Sequence, residues 1–193
     1  MNTTLLTDDE KQLLLRLARQ SIEGAVKGQS LPRLDLEDYS PRLRADGASF
    51  VTLMRADELR GCIGTLEAHQ PLVQDVCEHA VAAALEDFRF PPVQEGEVAK
   101  ITIEISVLSE PQVLDYKNPG ELIQRLQPGV DGVVIRDGIC RATFLPQVWE
   151  KLPDPEEFLD HLCLKMGAPA KLWRRKPLTV LTYQVEEFAE KVD

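Results

Sequence analysis

Few of the residues that usually announce a chemistry are present in this chain. Its 193 residues include three histidines and four cysteines, and no two cysteines form a Cys-x-x-Cys pair. The cysteines at 62, 77, 140 and 163 and the histidines at 69, 79 and 161 show none of the spacing that zinc uses, and no cysteine triad is available for an iron–sulfur cluster. No metal is expected. A Gly-x-Gly-x-x-Gly run and a P-loop are both missing, and Gly61-x-x-Gly64 is too short to count as a nucleotide motif, so no cofactor is expected either. No stretch approaches the roughly 20 apolar residues that a membrane span requires. Met1 to Lys11 is polar and acidic, without a basic segment leading into an apolar block, so the chain reads as a cytoplasmic protein with reduced thiols.

Positive charge is also scarce. The formal net charge of −10 repels phosphate backbones. Lys171, Arg174, Arg175 and Lys176 form the one basic cluster, which reads as a solvated surface at a helix end rather than a nucleic-acid site. What remains is an ordinary soluble composition, 44% hydrophobic and 28% charged, in a chain long enough to bury a core without covalent staples.

The periodicities alternate between helix and strand. Thr7-Asp8-Asp9-Glu10 is a capping box, and Leu13, Leu14, Leu17, Ala18, Ile22 and Ala25 then recur at helical spacing, which predicts a helix over 8–27 before Gly28. Residues 29–47 read as an irregular segment. Strands are expected at 50–55 and 58–66 around an Ala56-Asp57-Glu58 turn. A helix opened by Pro71 follows, and then a strand at 98–108 with Ile101, Ile103, Ile105 and Val107 on one face. Gly132–Arg136 and Ile139–Leu145 flank Asp137-Gly138, a dipeptide suited to a type I′ hairpin turn. Asp154 and Pro155 open another helix, with Phe158, Leu159, Leu162, Cys163 and Met166 as its apolar stripe, and a strand is expected at 178–185. Cys77 and Cys163 fall on buried stripes.

Side by side, residues 48–110 and 130–188 each spell hairpin, helix, strand. The expected fold is α+β: two related halves forming one curved, barrel-like mixed sheet with helices packed outside, in a single domain covering 1–193.

The chemistry concentrates in Leu59-Arg60-Gly61-Cys62-Ile63-Gly64-Thr65. Two glycines inside a strand give up backbone entropy and packing, so they mark a bulge or a close approach. With a period of two, Arg60, Cys62 and Gly64 share one face, which sets a guanidinium beside a thiol. Positive charge beside a thiol favours the thiolate.

These residues, together with Asp87-Phe88-Arg89-Phe90-Pro91, Ile103-Glu104-Ile105-Ser106-Val107-Leu108-Ser109 and Thr143-Phe144-Leu145-Pro146-Gln147-Val148, occur in order over nearly the whole chain. In them the chain resembles the AMMECR domain family, and within it the AmmeMemoRadiSam system protein A branch. The resemblance implies an α+β fold of two related halves around a barrel-like sheet, and association with a Memo-like protein and a radical S-adenosylmethionine enzyme. It carries no settled activity.

Two functional readings stand. As a binding module, Arg60, Gly61, Cys62, Gly64, Thr65 and Arg89 hold a carboxylate, a phosphate or the extended peptide of a partner, through glycine amides, arginine forks and strand-edge pairing. As a thiol enzyme, Cys62 is a nucleophile or redox group activated by Arg60 and Arg89, with Glu104 or His69 handling protons. The thin complement of acid–base groups favours binding.

Overall fold

A computed structural model describes residues 5–191; Met1–Thr4, the start of the stretch read for a signal, lies outside them. In chain order the main elements are α1 (Asp8–Ala25), α2 (Pro41–Arg44), β1 (Asp46–Arg55), β2 (Glu58–Gly64), β3 (Gln70–Pro71), α3 (Leu72–Leu85) and β4 (Thr102–Leu108). There follow β5 (Gln112–Val113), α4 (Pro119–Arg125), β6 (Gly132–Asp137), β7 (Cys140–Phe144), α5 (Pro155–Lys165), α6 (Leu172–Arg175), β8 (Thr179–Tyr183) and β9 (Val185–Ala189). The class is α+β.

The chain divides into two compact units, Met1–Leu108 with Glu186–Asp193, and Ser109–Val185. In the first, the capping box at α1 forms: Thr7 Oγ1 accepts the Glu10 amide and Glu10 Oε2 accepts the Thr7 amide at 2.8 Å. The stripe Leu14, Leu17, Ala18 and Ile22 is then buried against α3, whose Val73, Val76, Cys77, Ala80 and Ala83 are buried in turn. Helix α3 also lies on β1 and β2, so one hydrophobic core fills the space between the helices and the inner sheet face. The second unit closes its own core around Val133, Ile135, Trp149, Phe158, Leu162, Cys163 and Trp173.

Among the described residues the strands form two sheets rather than the single mixed sheet expected from the sequence. One runs β2-β1-β4-β9 with β3 paired to β1, and the other runs β5-β8-β6-β7. The pairings of β1 with β2, β3 and β4 are antiparallel, as are those of β6 with β7 and β8 and of β5 with β8. The physical reason is local closure. In each unit the strand after the helix returns to the first strand of its own hairpin, β4 to β1 and β8 to β6, which fills both sides of the central strand.

Three of the boundaries that depart from the expected pattern show how neighbouring segments reset them. Strand β1 begins at Asp46 because β3 pairs with Asp46 and Gly47 and prolongs it. The strand expected from 98 begins at Thr102, after a 3-10 turn at Glu95–Lys100. The last strand splits: β8 ends at Tyr183, and Gln184 exchanges hydrogen bonds with Ser109 before β9 starts.

Candidate functional site

The β1–β2 hairpin turns on Ala56 and Asp57, both left-handed at φ 50° and 63°, as a type I′ turn demands. Pairing then runs Arg55 with Glu58 and Met54 with Leu59, but Leu53 faces Gly61, so Arg60 is an extra residue in β2. This bulge overturns the simple alternation that set Arg60 beside the thiol. The Arg60 guanidinium is buried and donates to Glu97 Oε1 and Oε2 at 3.3 and 3.1 Å and to the Pro91 carbonyl at 2.9 Å. Its Nη1 is buried with no hydrogen-bond partner among the described residues.

The two glycines serve close approach within the fold rather than exposed amides for an anion. A Cβ at Gly61 would lie 2.2 Å from the Ala83 carbonyl oxygen of α3, and one at Gly64 would lie 2.4 Å from both Phe50 Cγ and the Ser49 carbonyl oxygen. Gly61 therefore faces the helix. Cys62, next along the strand, faces the other side of the sheet and is half-buried. Directly opposite sits Thr52, whose hydroxyl donates to Cys62 Sγ at 3.3 Å, and opposite Thr52 on β4 sits the exposed Glu104. Cys62, Thr52 and Glu104 thus form a row across three strands, and Thr52 is the member that sequence reasoning missed.

β2 is an edge strand, and its outer side is closed by the segment that follows α3. Asp87 Oδ2 accepts the Cys62 amide at 2.9 Å, while Arg89 Nη2 donates to the Cys62 carbonyl at 3.2 Å. Arg89 also forks onto Asp87, Nε to Oδ1 at 2.9 Å and Nη2 to Oδ2 at 2.6 Å. The pair stands in for a neighbouring strand at Cys62, so the edge pairing expected for a partner's chain is already satisfied there.

The electrostatics follow from these contacts. Hydrogen bonding from Arg89 holds the buried Asp87 carboxyl well below the usual carboxylate range, and Arg89 is pushed up in return. Glu97 is lowered, chiefly by its hydrogen bonds from Arg60, and it also pairs with Arg55 at 2.9 Å. Three guanidiniums therefore share two carboxylates along this edge. Arg55 and Arg89 keep nearly half of their side-chain surface exposed.

Thr65 and His69 are not drawn to the thiol. The Thr65 hydroxyl closes a local turn by accepting the Glu67 amide at 3.2 Å, and His69 Nδ1 lies 2.9 Å from the Glu67 carbonyl oxygen. His79 lies on α3, across the sheet from the sulfur, where Nδ1 is 3.1 Å from Asp75 Oδ2. Asp75 is fully buried and also accepts from the Ser49 hydroxyl at 2.6 Å. His161 is exposed on α5. Asp87 and Glu97, which organise the site, carried no signal beyond the presence of Asp87 in a motif. Among the described residues no three metal-ligating side chains converge, and no helix is long and apolar enough to cross a membrane.

The chain as a whole has relatives. A protein of Thermofilum pendens is 37% identical over 203 residues, covering 96% of this chain and 92% of its own length. A protein of Methanocaldococcus jannaschii is 35% identical over 193 residues, with coverage of 96% and 92%. The crystal structure of an uncharacterized protein from Pyrococcus horikoshii superposes with a TM-score of 0.81 at 34% identity, covering 96% of this chain and 94% of that one. The family model described as AMMECR1 matches residues 15–188, and the chain belongs to that family.

Proposed function

We propose that the chain is a cytoplasmic binding module, acting as one AMMECR domain of the AmmeMemoRadiSam branch. On this reading it is accessory to a Memo-like protein and a radical S-adenosylmethionine enzyme. Its ligand is an oxyanion, on a small molecule or a partner peptide, held at the outer side of β2. One observation carries the reading: a chain of net charge −10 gathers Arg55, Arg60 and Arg89 along one strand edge against two carboxylates, with two of the three arginines half exposed. The Asp87–Arg89 pair holds that edge rigid, which lowers the ordering cost of binding.

A thiol-dependent activity centred on Cys62 has less behind it. The sulfur's described hydrogen bond is to the Thr52 hydroxyl, and the imidazoles of His69 and His79 are engaged elsewhere. Calorimetric titration with the purified Memo-like and radical S-adenosylmethionine proteins of the same genome, and with inorganic phosphate, tests the binding reading. Arg55→Ala is expected to weaken association about tenfold with little change in melting temperature. Association with none of these probes, or equal affinity in the variant, counts against it.

A further inference from the structure

We infer that β9 is a latch on α1: it closes the first unit from late in the sequence, and when it detaches α1 separates from α3 while the second unit stays folded. The inference does not rest on the binding reading above.

Glu186, Phe188 and Glu190 are spaced by two and share one side of the extended chain. All three meet the first unit. Glu186 accepts the Leu6 amide at 3.1 Å and pairs with Lys11 Nζ at 2.8 Å, and Phe188 packs half-buried on the core. Glu190 accepts Arg19 Nε on Oε1 at 3.0 Å and Arg19 Nη2 on Oε2. Lys11 and Arg19 lie about two turns apart on α1, so the strand grips the helix along its length. Arg19 also donates to the Val98 and Ile101 carbonyls, each at 2.7 Å. Glu190 Oε2 accepts the Ile103 amide at 2.9 Å, and the Glu190 amide returns a bond to the Ile103 carbonyl at 3.0 Å. One guanidinium and one carboxylate therefore join α1, the turn before β4, β4 itself and the segment after β9.

Three features make this the part of the unit that opens first. The contacts to α1 span 180 and 171 residues, and loops of that length close at an entropic cost. Strand β9 is five residues long, at the outer position of its sheet, and pairs with β4 alone among the described residues. The four side chains of the Lys11–Glu186 and Arg19–Glu190 pairs keep 17–25% of their surface exposed, so water competes for them. Beneath the latch, α1 meets α3 through Leu14, Leu17, Ala18 and Ile22, and Ser21 touches the Cys77 thiol. Helix α3 in turn supports β2, because Gly61 lies against the Ala83 carbonyl. The latch thus acts on the support of the strand that carries Cys62.

Each unit holds its own reporter. Cys77 is sealed under α1, whereas Cys163, Trp149 and Trp173 are sealed in the second core. The test is timed iodoacetamide alkylation of the full chain in native buffer, read by mass spectrometry, in Glu190→Ala and Lys11→Met. Cys77 is expected to react about tenfold faster in Glu190→Ala and about threefold faster in Lys11→Met. Cys163 and the tryptophan fluorescence stay unchanged. An unaltered Cys77 rate in Glu190→Ala overturns the latch, since α1 then opens without the strand. Equal acceleration of Cys77 and Cys163 overturns it too, because the opening is then global. Should Glu190→Ala fail to fold, Phe188→Ala and Lys11→Met decide by the same two rates.

Discussion

Asp87 and Cys62 meet through the backbone: the aspartate carboxylate takes the cysteine amide at 2.9 Å, on the side of β2 where no strand pairs among the described residues. An unpaired strand edge is a template for aggregation, and proteins blunt it with charges or covering loops. Here a buried carboxylate and its arginine cover both outward backbone groups of one residue, the Cys62 amide through Asp87 and the Cys62 carbonyl through Arg89.

Removing that carboxylate is expected to be costly. Asp87→Ala leaves the Cys62 amide without its acceptor and Arg89 without its counter-ion, and the loss of a buried charged hydrogen-bond partner costs about 2–4 kcal/mol. Urea denaturation measures this directly. A loss below about 1 kcal/mol means that the edge is held by other contacts.

The same group sets an acid limit. Asp87 and Glu97 both titrate lower in the folded chain than their ordinary values of 3.8 and 4.5. Folding therefore favours the ionised forms, and their contribution is complete above those ordinary values. It is lost as pH falls through them toward the lower folded values. Denaturation midpoints should hold from neutrality to about pH 5 and then fall, and Asp87→Asn should flatten that fall. An equally steep decline in the variant assigns the acid sensitivity to other carboxylates.

The difference between what was legible and what was not turns on single-residue registers. The α1 cap, the α3 and α5 stripes and the inward isoleucines of β4 follow from spacing alone, since burying an apolar stripe leaves a sequence one arrangement. The bulge at Arg60 is another matter. Counting back from the Ala56-Asp57 turn without it pairs Thr52 with Gly61, and with it pairs Thr52 with Cys62, so one inserted residue decides which side chain meets the sulfur. The second hairpin teaches the same lesson. Asp137 pairs with Cys140, so the loop is Gly138-Ile139 with φ 59° at the glycine, one residue later than the Asp137-Gly138 turn the sequence suggests, and Ile139 is left fully exposed. Contacts between segments far apart in the chain, such as Glu97 with Arg60, leave no periodic trace at all.

Two glycine substitutions separate close approach from backbone conformation. Gly61→Ala places a Cβ 2.2 Å from a helix carbonyl oxygen and must push β2 from α3, so a loss of about 2–3 kcal/mol or more is expected. Gly138→Ala meets no atom within 4 Å but occupies φ 59°, so its cost is confined to backbone strain of about 1 kcal/mol. Thermal melts of the two variants rank them, and the opposite order contradicts the packing of β2 on α3.

The four thiols provide the last measurement, because their surroundings differ while their chemistry is the same. Cys140 is exposed and Cys62 half-buried, whereas Cys77 and Cys163 are sealed in the two cores, where burial also pushes both thiols up. Since the thiolate is the reacting species, the core cysteines are disfavoured twice, by access and by ionisation, and react only when the structure opens. Timed alkylation with iodoacetamide read by mass spectrometry should therefore modify Cys140 first and Cys62 next. The two core thiols should be at least about a hundredfold slower. Thr52→Val removes the hydroxyl that donates to the Cys62 sulfur and should change the rate at Cys62 alone, leaving Cys140 as the internal control. Protection of Cys62 equal to that of Cys77 places its sulfur in a sealed environment, and with it removes the solvent-facing row of Cys62, Thr52 and Glu104 as a surface any ligand can reach.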